Sequence, residues 1–128
     1  MNIAILDDYD QTISKLPAWQ KLSPDFKLQF FNAPVAPILL ENFDVIVANR
    51  ERTNLNSSFL NQLPKLKHLA LTGRLSGQAD VATLKSRNIA TSFTEGSATS
   101  AAELTIGLML SITKRIHDRH NSVRNGDW

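Results

Sequence analysis

Five short apolar runs, each separated from the next by a segment of helical pattern, constrain this chain more than any other feature. The runs are Asn2–Leu6 (NIAIL), Lys27–Phe31 (KLQFF), Asp44–Ala48 (DVIVA), Lys67–Leu71 (KHLAL) and Asn88–Phe93. Asp44–Ala48 is the clearest, being β-branched and unbroken, and Asn88–Phe93 is the weakest. Between them, Asp10–Leu22 reads as helix with Ile13, Leu16, Trp19 and Leu22 at spacings of three, and Pro17 splits it or starts its second half. Pro37–Phe43 suits a short helix with Pro37 in its first turn. Asn56 is placed to cap Ser57–Leu63, which Pro64 stops, and Asp80 to cap Val81–Ser86.

Strands alternating with helices predict βαβ units and a parallel sheet. With right-handed crossovers, five such strands give an α/β fold: a flavodoxin-like five-stranded parallel sheet in order 2-1-3-4-5, with helices on both faces. A chain of 128 residues fits one domain of this kind. The net charge of +2 raises no field that would argue for nucleic acid. The absence of cysteine removes disulfides, thiol catalysis and thiolate metal sites together. Met1 leads straight into a strand pattern without a charged region and apolar run, so no signal peptide is expected and the cytoplasm is the expected location.

The last third holds a long C-terminal helix, Ser97–Ile116 (SATSAAELTIGLMLSITKRI). Ser100 and Glu103 have the spacing of a capping box. Leu104, Leu108, Ile112 and Ile116 form one stripe, and Ile106, Met109 and Leu110 widen it around most of the circumference. The segment is too short and too interrupted by Thr105, Gly107, Ser111 and Thr113 to cross a membrane. It reads as a buried core helix or as one that docks on a second body. Because only a short tail follows, a homodimer through Ala102–Ile116 is expected, with Lys114, Arg115, Arg119 and Arg124 on the solvated edge.

In open parallel sheets ligands sit beyond the carboxyl ends of the strands. That rule selects Asp7-Asp8, Asn49–Thr53, Thr72–Gly77 and Thr94–Thr99. Arg50 and Arg52 can grip a carboxylate or phosphate as bidentate forks, or pair with Glu51, Asp7 or Asp8 and seal a surface. Gly73 and Gly77 let backbone approach an anion closely. The amino end of the last helix adds free amides, with Ser97 and Thr99 as hydroxyl donors. Together these loops suit a small carboxylate. They hold no nucleophile with a base beside it, so no catalytic residue is expected. No metal is expected either: His117 and His120 are three apart with only Asp118 nearby, and His68 opens a strand. There is no G-x-G-x-x-G for a dinucleotide.

Several of these segments, in this order and spacing, resemble the D-isomer-specific 2-hydroxyacid dehydrogenases. They are Asp44–Thr53 (DVIVANRERT), Leu66–Gly73 (LKHLALTG), Asp80–Ile89, Ala102–Arg115 (AELTIGLMLSITKR) and the tail Arg124–Trp128, which fits R-x-G-x-W. The resemblance runs from Met1 to Trp128 and is nearest the branch with R-E-R-T after its third strand. It implies an amino-terminal substrate domain over 1–97 and, over 98–128, a helix and tail leading towards a separate nucleotide-binding domain. It also implies hydride transfer between NAD or NADP and a small 2-hydroxy or 2-keto acid. The residues for that transfer and the glycine fingerprint lie in the family beyond the matching portion. The 128 residues alone are therefore expected to be inactive and not to hold the cofactor tightly.

By the same resemblance, Arg50, Arg52, Thr72, Gly73, Arg74 and Ser97 contact substrate and Thr99 faces the nicotinamide. Ser97 stands where many members have asparagine, and Ser76 and Gln78 where many have glycine. A rival is a receiver domain, with Asp7-Asp8 as acidic pair and Thr72 as switch threonine, although Asn49 stands where its phosphorylated aspartate belongs. Another is a non-catalytic binding or dimerisation module that uses the apolar helix.

Overall fold

The structure is a computed structural model describing residues 1–22, 24–75, 77–96 and 98–127. It contains β1 (Asn2–Ile5), α1 (Ala18–Leu22), β2 (Lys27–Phe30), a 3-10 turn (Pro37–Leu40), β3 (Val45–Asn49), α2 (Ser57–Asn61), β4 (His68–Thr72), α3 (Val81–Ser86) and β5 (Ala90–Phe93). Two further helices follow, α4 (Ala98–Thr113) and α5 (Ile116–Asn125). The chain divides into two compact units, Met1–Gly96 and Ser97–Trp128.

The first unit is one five-stranded sheet in order β2-β1-β3-β4-β5, and every pairing is parallel. That is the expected flavodoxin-like order. Side chains alternate across a strand, so the register sorts the core. Ala4, Ile46 and Leu69 share one face, where they cluster with Leu60 of α2 and Leu84 of α3. Ile5, Phe30 and Val47 share the other, where Trp19 of α1 meets Phe30 edge-on at 5.6 Å. Helices therefore cover both faces. Asn56 and Asp80 cap α2 and α3 as expected, their side chains accepting from the amides of Phe59 (2.9 Å) and Thr83 (2.8 Å).

Three local expectations are corrected. The helix read over Asp10–Leu22 forms only from Ala18, so Pro17 starts the helix and does not split it. The preceding loop is held instead by the Asp8 carboxylate, which accepts from the amides of Ile13 and Ser14, and by the Trp19 indole donating to the Ile13 carbonyl. The 3-10 turn at Pro37 buries Leu40 but leaves Ile38 and Leu39 exposed. In the second unit α4 already includes Ala98, so Ser100 lies within its first turn and is not its cap.

The second unit also breaks the long stripe. Thr113 turns its hydroxyl back to the Met109 carbonyl at 2.8 Å, and Arg115 takes a left-handed φ of 50°. α5 restarts at Ile116, with Arg115 Nε bonded to Asp118 at 3.0 Å. Leu104, Ile106, Leu108, Met109, Leu110, Ile112 and Ile116 are all exposed. Among the described residues no helix is long and apolar enough to cross a membrane.

Candidate functional site

The carboxyl ends of β1, β3, β4 and β5 are tied to one another by side chains. At the end of β1, Asp7 and Asp8 are each only 2% exposed although they are carboxylates. Buried charges require partners. Asp7 has them: its carboxylate accepts from the Thr53 hydroxyl at 2.9 Å and from the Tyr9 hydroxyl at 3.1 Å. Its backbone carbonyl accepts from Arg52 Nη1 at 2.9 Å, and the Arg52 guanidinium lies 5.1 Å over the Tyr9 ring. Arg52 thus engages Asp7 through its carbonyl and Tyr9 through its ring. Asp8 turns away from this cluster towards the loop it caps.

At β3, Asn49 bridges two strands. Its amide nitrogen reaches the Asp7 carbonyl at 3.5 Å, and its side-chain oxygen accepts from the Thr72 hydroxyl at 2.8 Å. The same Thr72 oxygen accepts the Arg50 amide hydrogen at 2.9 Å. One strand further, the Gly73 amide donates to the Thr94 hydroxyl oxygen at 3.0 Å. That amide is therefore engaged, and an anion at this loop would draw on the amides that follow. Gly73 has a φ of +125°, a conformation that favours glycine.

Two non-glycine residues here are left-handed, Asp7 at φ 64° and Arg50 at φ 58°. Such a conformation costs about 1–2 kcal/mol per residue. Strain of this kind persists where the surroundings over-determine it, and it concentrates at functional sites. Here the Thr53 and Arg52 bonds pin Asp7, and Thr72 pins Arg50. Between the two strained turns lies an open depression of about 250 Å³, lined by Asp10, Thr12, Arg50 and Arg52 among others.

The structure brings together Arg50, Arg52, Thr72 and Gly73 of the expected substrate residues. Arg74 is exposed on the same loop, one residue further along. Ser97, like Ser76 and Trp128, lies outside the described residues. Thr99 is exposed in the first turn of α4, in the second unit. The sequence reading missed Tyr9, Thr53 and Thr94 as parts of this network. Thr53 and Thr94 stand in loops that the strand-end rule had selected, whereas nothing in the sequence singled out Tyr9. Among the described residues no group of three His, Asp or Glu side chains is placed to hold a metal ion.

No protein-family model and no curated protein matches the sequence. Solved structures do. A phosphoglycerate oxidoreductase from Vibrio cholerae O395 aligns over 100% of this chain at 31% identity with a TM-score of 0.78. An oxidoreductase from Ralstonia solanacearum described as a D-3-phosphoglycerate dehydrogenase aligns over 99% at 31% identity with a TM-score of 0.76. The structural neighbours of this chain include D-3-phosphoglycerate and D-lactate dehydrogenases, which are of the D-2-hydroxyacid dehydrogenase family. A D-lactate dehydrogenase from Aquifex aeolicus, complexed with NAD and lactic acid, shares the fold at 19% identity and a TM-score of 0.71. The chain spans only 42%, 40% and 38% of these three proteins. The resemblance read from motif order is thus matched in three dimensions over the whole chain.

Proposed function

We propose that Met1–Gly96 forms most of the substrate-binding domain, residues 1–97, of an NAD- or NADP-dependent D-2-hydroxyacid dehydrogenase. Residues 98–128 are then the helix and tail leading to its nucleotide-binding domain. The observation that carries the reading is Arg50, strained and exposed at the carboxyl end of β3 and tied by its amide to Thr72, next to Gly73. A guanidinium beside a glycine loop suits the carboxylate of a small 2-hydroxy or 2-keto acid. Arg74 and Ser97 complete the proposed substrate contacts, and Thr99 faces the nicotinamide. Arg52 supports the grip from its place over Tyr9. Hydride transfer itself would use groups outside these 128 residues, and the chain alone would neither turn over substrate nor hold the cofactor tightly.

The apolar side chains of α4 fit a homodimer through Ala102–Ile116. A cytoplasmic setting is part of this reading, since a chain without cysteine suits a reducing compartment.

The test is titration of the 128-residue chain with D-lactate, followed by amide chemical shifts. A few charge-assisted bonds contribute about 4 kcal/mol net, which corresponds to a millimolar Kd. Arg50→Ala is expected to abolish the shifts at concentrations that saturate the unsubstituted chain. Unchanged binding by that variant would reduce Arg50 to a surface role.

A further inference from the structure

We propose that Thr72 is a positioning residue that acts on the substrate through Arg50 and does not itself hold the carboxylate. The inference rests on the site reading above and deepens it. A threonine hydroxyl has one hydrogen to donate and two lone pairs to accept with. Thr72 donates its hydrogen to Asn49 Oδ1 at 2.8 Å and accepts the Arg50 amide at 2.9 Å. With its only hydrogen committed, it has none left for an anion. Its remaining lone pair would repel one.

What the hydroxyl does instead is set where Arg50 starts. Asn49 and Thr72 are paired in register as the last residues of β3 and β4. Arg50 is the first residue past that pair and has a φ of 58°. An arginine at such a φ needs an external tie. The tie comes from the neighbouring strand, at Thr72. Asn49 carries the same link on to the Asp7 carbonyl, which also receives Arg52. The two arginines are thereby referenced to one backbone carbonyl, and Thr72 closes the chain of bonds on the side of Arg50.

Three forms of the 128-residue chain separate this from direct contact: unsubstituted, Thr72→Val and Thr72→Ser. Valine keeps the shape and removes the hydroxyl, while serine keeps the hydroxyl. Thr72 is exposed, so both variants are expected to fold, and their amide spectra check it. In Thr72→Val the Arg50 amide should exchange with solvent at least about tenfold faster and the Kd for D-lactate should rise about five- to tenfold. Thr72→Ser should restore both. If binding weakens in Thr72→Val while the Arg50 amide stays protected, Thr72 touches the ligand directly and the proposal is overturned. If the amide is released but the Kd stays at the unsubstituted value, Thr72 is merely structural and the proposal is again overturned. A lack of D-lactate binding by the unsubstituted chain would instead overturn the site reading, and the positioning role with it.

Discussion

Ile112→Glu is expected to leave the chain a single particle of 14.2 kDa at micromolar concentration, where the unsubstituted chain is expected to run at twice that mass. Ile112 is 76% exposed, the highest value among the seven large apolar side chains of the stripe. Covering such a side chain stabilises by about 1.5–3 kcal/mol. Seven of them, covered in a dimer, give a gross gain on the order of 10–20 kcal/mol per chain. Association costs about 4–15 kcal/mol in lost freedom, and a micromolar pair needs only about 8 kcal/mol net. A carboxylate within that surface would be desolvated without a partner, which costs several kcal/mol and raises the Kd by about a thousandfold or more. Because Ile112 makes no part of the core of Met1–Gly96, circular dichroism should stay unchanged. Lys114→Glu, at the proposed solvated edge, serves as the mild control. Sedimentation or light scattering reads both, and a well-folded monomer of the unsubstituted chain would remove the proposed partner.

Asp8→Ala is expected to destabilise the first unit by about 3 kcal/mol, since it strips two amides of a charged acceptor inside the fold. For a unit of this size that lowers the Tm by roughly 10 °C or more. Burial pushes the Asp8 carboxyl up, but the Ser14 hydroxyl and the amides of Ile13, Ser14 and Thr12 outweigh it and hold it below its ordinary 3.8. The folded value is thus depressed relative to the unfolded chain. Linkage then makes the Asp8 contribution full above 3.8 and progressively lost as the pH falls through the folded value. The stability gap between the unsubstituted chain and Asp8→Ala should therefore be constant near neutrality and close in acid. Urea unfolding at a series of pH values measures it, and a gap that widened on acidification would contradict the capping role.

The sheet was legible because its signals are local and agree with one another. Each strand is a short apolar run, and Asn56 and Asp80 stand where an N-cap must stand. Where the reading failed, a tertiary interaction overrode a local pattern. Ile13, Leu16, Trp19 and Leu22 keep a helical spacing, yet the buried Asp8 carboxylate and the Trp19 indole capture the backbone of that segment before it can coil. Ser100 and Glu103 keep the spacing of a capping box, yet the helix extends beyond Ser100 to Ala98 and leaves the serine inside it. The stripe from Leu104 to Ile116 looks continuous, yet Arg115 turns left-handed within it.

The site was legible only as a set of loops. The strand-end rule selected Asn49–Thr53 and Thr72–Gly77, and the motifs named Arg50 and Gly73 within them. Spacing along the chain cannot show that Thr72 bonds Asn49 and Arg50, residues 23 and 22 positions away. Nor can it show that Tyr9 would lie beneath Arg52, because a tyrosine four residues past a strand end is ordinary in sequence. The burial of Asp7 was equally invisible, since two adjacent aspartates after a strand usually face solvent.

If the carboxyl ends of β3 and β4 hold the carboxylate, D-lactate added to the 128-residue chain should move the amide signals of Asn49–Thr53 and of Thr72–Leu75. Those shifts should saturate together in the millimolar range, while the signals of α5 around Arg115 and Arg119 stay in place. Shifts confined to α5, or none at D-lactate concentrations well above the millimolar range, would contradict a substrate site at these strand ends.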